Sequence, residues 1–84
     1  MITHEIKLNV EFCDAVLSGD KPFEIRKNDR GYQKGDRIKF YPCNGFGGYS
    51  SHDIEKKEFE ITYVLSGWGL KENYVVLGIR EVSE

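Results

Sequence analysis

Cysteine is scarce in this chain: of 84 residues only Cys13 and Cys43 carry a thiol. The opening MITHEIKLNVEF has neither the basic head nor the long apolar segment of an export signal. No disulfide framework is implied, and the two cysteines read as small neutral residues. Metal-ligand spacing is missing as well. His4, Cys13, Cys43 and His52 are soft donors, yet none forms a C-x-x-C or H-x-x-x-H pair, so neither a metal site nor a cofactor is expected. No apolar run approaches the roughly 18 to 20 residues that span a bilayer, which predicts a cytoplasmic protein with no membrane partner. Repeats, linkers and low-complexity tracts are also absent, leaving a single domain over residues 1–84.

Familiar catalytic signatures are missing too. Ser18, Ser50, Ser51 and Ser66 lack a nucleophile-elbow pattern, so no serine hydrolase is signalled. The glycines of NGFGGY do not form G-x-x-x-x-G-K-[ST] and precede no helical pattern, which excludes a P-loop. Nothing selects a glycosidase-like pair from the 14 carboxylates.

Apolar side chains and unevenly placed charge are what the chain does have. A hydrophobic fraction of 39% with 13% aromatics is enough for a folded core and argues against disorder. Formal charge is -3 over residues 1–20, +4 over 21–39 and -3 over 40–84. One face can therefore attract a polyanion while the rest repels non-specific contacts; a solvated strand face with local ion pairs is the alternative.

The hydrophobic pattern predicts a mainly β (α+β) fold. THEIKLNV alternates, with Ile6 and Leu8 on one side. Asn9 then offers an N-cap to VEFCDAVLSG, where Val10, Cys13, Val16 and Leu17 recur at helical spacing until Gly19, so one short amphipathic helix follows. In KPFEIRKN, alternation directs Phe23 and Ile25 to the core and Glu24, Arg26 and Asn28 to the opposite face. RIKFYPC does the same with Ile38 and Phe40. NGFGGYSSHD reads as a mobile loop. IEKKEFEITYVLSG reads as a strand with Phe59, Ile61, Tyr63 and Leu65 on one face, and NYVVLGIREV as a last strand burying Val75, Leu77 and Ile79. About five strands and one helix suggest a small, strongly bent sheet or barrel.

The constellation that could carry chemistry is Lys21, Glu24, Arg26, Asn28, Asp29 and Arg30, with Tyr32 close by in the sequence and Trp68 between two glycines. Arg and Lys suit phosphate or carbonyl oxygens, and Glu accepts from amino groups, so the set can recognise a nucleotide. The same charges can instead neutralise one another on a strand. Trp68 either packs at the core or its rim, the commoner fate of tryptophan, or lies open as a stacking platform.

The segments HEIKL, VLSGDKPFEIRKNDRGYQKGDRI and ITYVLSGWGLKENYVVLGI, in that order, resemble a small bacterial and phage family, domain of unknown function 3850, of the ASCH/PUA-like superfamily. The likeness runs from about Thr3 to Ile79 and fails only across NGFGGYSSHDIEKK. It implies a PUA-like small pseudo-barrel with a helix at one end and a cleft beside Lys21 to Arg26. ASCH domains look like RNA-binding modules, and with the constellation above the expectation is an RNA-, nucleotide- or nucleoside-binding module whose candidate ligand contacts are Lys21, Glu24, Arg26, Asn28, Asp29, Arg30 and Trp68. Some small relatives are amidohydrolases of acylated cytidines that use a Lys and a Thr three positions later. Lys21 matches the Lys, but Glu24 stands where the hydroxyl is needed. A hydrolase with Lys21 and Glu24 as base and acid is one alternative, and a protein-interaction domain is another.

Overall fold

The computed structural model describes residues 1–83. Five strands and one helix follow in the order β1 (Thr3–Asn9), α1 (Val10–Ser18), β2 (Phe23–Lys27), β3 (Arg37–Cys43), β4 (Phe59–Ser66) and β5 (Tyr74–Glu81), with a 3₁₀ helix at Asp53–Lys56. The strands form one mixed sheet in the order β1-β3-β4-β5-β2. β1 runs parallel to β3 and the other pairs are antiparallel. β1 and β2 are thus the two edges, and the sheet is not a closed barrel.

The helix forms where its caps place it. Asn9 ends β1 and at once accepts the Glu11 N–H on its side-chain oxygen, satisfying a donor that the first turn leaves free. Gly19 stops the helix in the left-handed region at φ 89°, its N–H bonded to the Val16 carbonyl. Cys13 and Val16 face inward and join Ile6, Leu8, Ile38, Phe40, Phe59, Ile61, Val75, Leu77 and Ile79 in one core. Each such aliphatic side chain contributes about 1.5–3 kcal/mol by leaving water. Burial raises the Cys13 thiol to about 11, with the nearby Asp14 carboxylate adding to the effect, so it stays a neutral packing group. Among the described residues no helix is long and apolar enough to cross a membrane.

Four sequence expectations change in the folded chain. The segment after β3 is built rather than loose. Asn44 Oδ1 accepts the Phe46 and Gly48 N–H groups, Asn44 N–H donates to the Gly48 carbonyl, and Tyr49 bridges back to Cys43. Residues Ile54 to Lys57 do not open the next strand. They belong to the 3₁₀ segment and its C-cap, held by a capping box between His52 and Glu55, with Ile54 sealing the core. β4 carries a bulge between Ile61 and Tyr63, so Phe59 and Ile61 stay inside while Tyr63 turns out and is 62% exposed. Leu65 shares that outward side, because it pairs with the outward Val76 of β5. Last, β2 is inverted: Glu24 pairs with the inward Leu77 and is buried, while Phe23 and Ile25 are exposed. A shift of one residue in a period-two pattern exchanges the two faces, and pairing with β5 decides which one is inside.

His4, one of the soft donors without metal-ligand spacing, takes a structural place in the fold. It is buried, its Nε2 lies 2.9 Å from Asp36 Oδ2, and its ring leans on Tyr32 at 4.7 Å. Asp36 further accepts the Ile2 and Gln33 N–H groups. Burial pushes its carboxyl upward, but the hydrogen bonds from His4, Ile2 and Gln33 outweigh this and hold it below the ordinary value.

Because the native value lies below the unfolded one, the charged Asp36 contributes stability above about pH 3.9 that is lost as pH falls through the native value. Asp36→Asn should cost about 2–3 kcal/mol at pH 7 and flatten the loss of stability below about pH 4, read by urea unfolding across pH. At Gly78, opposite the bulge, an added Cβ would stand 2.8 Å from Thr62 Oγ1. Gly78→Ala should therefore lower stability by about 1–3 kcal/mol in thermal unfolding, and Thr62→Ala in the same chain should recover part of it.

Candidate ligand cleft

The two sheet edges face each other without pairing, and arginine heads span the gap. Arg26 Nη1 donates to the Lys7 carbonyl at 2.7 Å, and Arg30 Nη1 to the Glu5 carbonyl at 3.0 Å. Residues 5 and 7 of a strand point their carbonyls the same way, so both arginines satisfy the row of acceptors that β1 leaves open.

Beneath this seam lies Glu24, whose side chain is 5% exposed. A buried carboxylate needs compensating charge, and it receives two cations: Lys21 Nζ at 2.9 Å from Oε1 and Arg26 Nη1 at 3.2 Å from Oε2. Lys21 is aimed by the turn after Gly19, where its N–H bonds to the Ala15 carbonyl. Its ammonium also meets the Phe23 carbonyl at 3.1 Å and lies 5.2 and 4.9 Å from the ring centroids of Phe12 and Phe23.

Two recesses open on either side of Arg26, which lines both. The smaller, about 330 Å³, lies between the end of β1, α1 and β2, with Leu8, Phe12 and Phe23 as apolar walls and Lys21 and Glu24 among its polar groups. The larger, about 650 Å³, lies against β1 and β3. In their parallel register Glu5 pairs with Lys39 and Lys7 with Tyr41, which brings those four side chains to one surface. Arg26 and Arg30 reach this recess from the seam, and Tyr49 and Glu55 close its far side. Lys7, Arg26, Arg30 and Lys39 thus oppose two carboxylates, Glu5 and Glu55.

The far wall is held by a chain of hydrogen bonds. Tyr49 OH donates to Glu55 at 2.6 Å, and Glu55 Oε2 accepts the His52 N–H. His52 Nδ1 accepts the Ile54 N–H, so Nε2 carries the proton and donates to Asp14 Oδ1 of α1 at 2.7 Å. The Tyr49 hydrogen bond keeps the Glu55 carboxyl below its usual range, and the same bond raises the Tyr49 phenol. Tyr41 and Tyr49 tilt against each other with centroids 5.5 Å apart.

Of the residues proposed from sequence, Lys21, Glu24, Arg26 and Arg30 come together at the cleft. Asn28 turns to the loop instead, accepting the Tyr32 N–H, with its own N–H on the Asn73 carbonyl. Asp29 is exposed in the same loop, and its backbone N–H folds back onto the Lys27 carbonyl. Trp68 sits in the β4–β5 turn at φ 54° and is 91% exposed, lining neither recess, so the open position replaces the core position. Tyr32 is buried against His4. Lys7, Lys39, Tyr41 and Tyr49 escaped sequence reading. The only signal of Lys7, Lys39 and Tyr41 was an outward position on two strands whose parallel pairing is not written locally, and Tyr49 lies in the segment that folds back after β3. Among the described residues, no group of three or more His, Cys, Asp or Glu converges as a metal site would require.

Comparison with known proteins adds a family and a relative. The family model described as "Domain of unknown function (DUF3850)" matches residues 3–79. A protein of Escherichia phage P2, described as an uncharacterized 12.9 kDa protein in the GpA 3' region, is 36% identical over 74 residues. The match covers 88% of this chain and 64% of the phage protein, so the chain spans less than two thirds of that relative's length.

The triplet of Lys21, Glu24 and Arg26 sets an expectation for stability. Alternation alone would make Arg26 a surface residue whose loss costs about 1 kcal/mol or less. Its contacts to a buried carboxylate and to the Lys7 carbonyl predict instead that Arg26→Ala costs about 2–3 kcal/mol in chemical denaturation. The loss stays short of a full charge-stranding penalty because Lys21 remains on Oε1.

Proposed function

The chain belongs to the DUF3850 family, and from its cleft we propose that it is a binding module for RNA or nucleotides. The observation that carries this reading is the basic cleft at the unpaired seam, where Lys7, Arg26, Arg30 and Lys39 surround a recess that also presents Tyr41 and Tyr49. Cations suit phosphate oxygens and exposed phenol rings suit base faces. Only Nη1 of each arginine is engaged by protein acceptors among the described residues, so the remaining donors of both forks can meet a ligand.

The bent five-stranded sheet with one helix against the core is consistent with a PUA-like pseudo-barrel of the ASCH kind, left open along the seam. A binding role is favoured over hydrolysis by the state of the Lys21–Glu24 pair. Lys21 and both Glu24 oxygens are already engaged in the triplet, which suits a scaffold for ligand more than a free base. The proposal includes a cytoplasmic location, where RNA and nucleotides are abundant. The acidic remainder of the surface limits non-specific affinity, because that requires many uncompensated phosphate contacts.

The test is an amide-resonance titration of ¹⁵N-labelled protein with short single-stranded RNAs and nucleotides at several salt concentrations. Shifts should concentrate at Lys7, Lys21, Arg26, Arg30 and Lys39. The logarithm of affinity should fall with the logarithm of salt with a slope of about 2 to 3, as three or four phosphate contacts to a single strand give. Shifts spread evenly over the surface, or none, would sink the reading.

A further inference from the structure

We propose that the two recesses beside Arg26 hold adjacent nucleotides of one strand, so that the ligand is single-stranded nucleic acid of two or more nucleotides and not a free mononucleotide. This rests on the reading of the cleft as a nucleotide site and adds the length and form of what binds there.

The argument starts from the duplication of aromatic surface. The smaller recess has Phe12 and Phe23, 43% and 39% exposed, and the larger has Tyr41 and Tyr49, 44% and 51% exposed. A site for a single base needs one such station. Aromatic rings left half open in water at two separate recesses suit two unstacked bases, since every base offers a π-face and gains by stacking.

Size agrees with this division. At about 330 Å³ the smaller recess accommodates one nucleoside-sized group and not two, while the larger, at about 650 Å³, has room for the next nucleotide. Position agrees as well. Arg26 lines both recesses, so a phosphodiester joining two bases seated on either side passes its guanidinium. Nη1 of that guanidinium is fixed by Glu24 and by the Lys7 carbonyl, which sets the plane of the fork and leaves its other donors for the phosphate. A duplex does not satisfy this arrangement, because its paired and stacked bases cannot enter separate recesses.

The experiment measures affinity by calorimetry at one salt concentration for a mononucleotide, the matching dinucleotide, a tetranucleotide and a hairpin duplex, each in ribose and deoxyribose form. The dinucleotide should bind at least about tenfold more tightly than the mononucleotide, the size of one stacking contact. The duplex should bind more weakly than the tetranucleotide. The ribose and deoxyribose arms separate RNA from DNA as the source of the strand. Phe12→Ala and Tyr41→Ala, both at half-exposed rings outside the core cluster, should each abolish the gain from one nucleotide to two. Equal affinity for one and two nucleotides, a gain that survives both substitutions, or a preference for duplex overturns the proposal while leaving a nucleotide site in place. If no nucleotide of any length binds, the underlying reading falls with it.

Discussion

Burial of the Glu24 carboxylate is the constraint around which this end of the molecule is arranged. Pairing of β2 with β5 turns Glu24 inward beside Leu77, and an isolated carboxylate there would cost several kcal/mol. Lys21 and Arg26 offset that cost from opposite sides, and each is thereby placed for something else. Lys21 is drawn over Phe12 and Phe23, and Arg26 is held across the seam on the Lys7 carbonyl. The smaller recess, and the placing of Arg26 between it and the larger one, therefore follow from one acidic side chain on the inner face of a strand.

The open seam is the second half of the arrangement. Unpaired strand edges invite association, and proteins blunt them with charge, bulges or covering segments. Here the chain's own arginines cover the β1 edge by bonding to the Glu5 and Lys7 carbonyls. A side-chain seam is longer than a backbone ladder and leaves space, which is why the edge region is a cleft and not a closed barrel wall. The far wall depends on a separate device, the run of hydrogen bonds from Asp14 through His52 to Glu55 and Tyr49. Helix and loop are thus tied together on the side where Tyr49 must stand.

At the other end of β1, the buried pair of His4 and Asp36 joins the start of that strand to the turn before β3. Asp36 fixes Ile2 and Gln33 through their N–H groups, so the parallel register of β1 on β3 begins from a defined point. That register puts Lys7 beside Tyr41 and Glu5 beside Lys39, and so composes the floor of the larger recess. Stability at one end and site composition at the other are connected through a single strand.

What the sequence determined by itself is whatever depends on near neighbours. Helix caps at Asn9 and Gly19, the inward series Ile6 and Leu8, Ile38 and Phe40, and Val75, Leu77 and Ile79, and the concentration of charge from Lys21 to Lys39 were all legible, because each is a matter of period or local conformation. Tertiary structure decided which face of β2 is buried, where β4 changes face, and which strands lie side by side. Alternation fixes only that two faces differ. Choosing between them required the pairing of Glu24 with Leu77 and the bulge before Tyr63. The tyrosines and lysines of the larger recess were invisible for the same reason: they become neighbours through parallel pairing of β1 with β3 and the fold-back of the segment after it. The pairing of β1 with β3 joins residues more than thirty positions apart, such as Lys7 and Tyr41, and no local pattern encodes it.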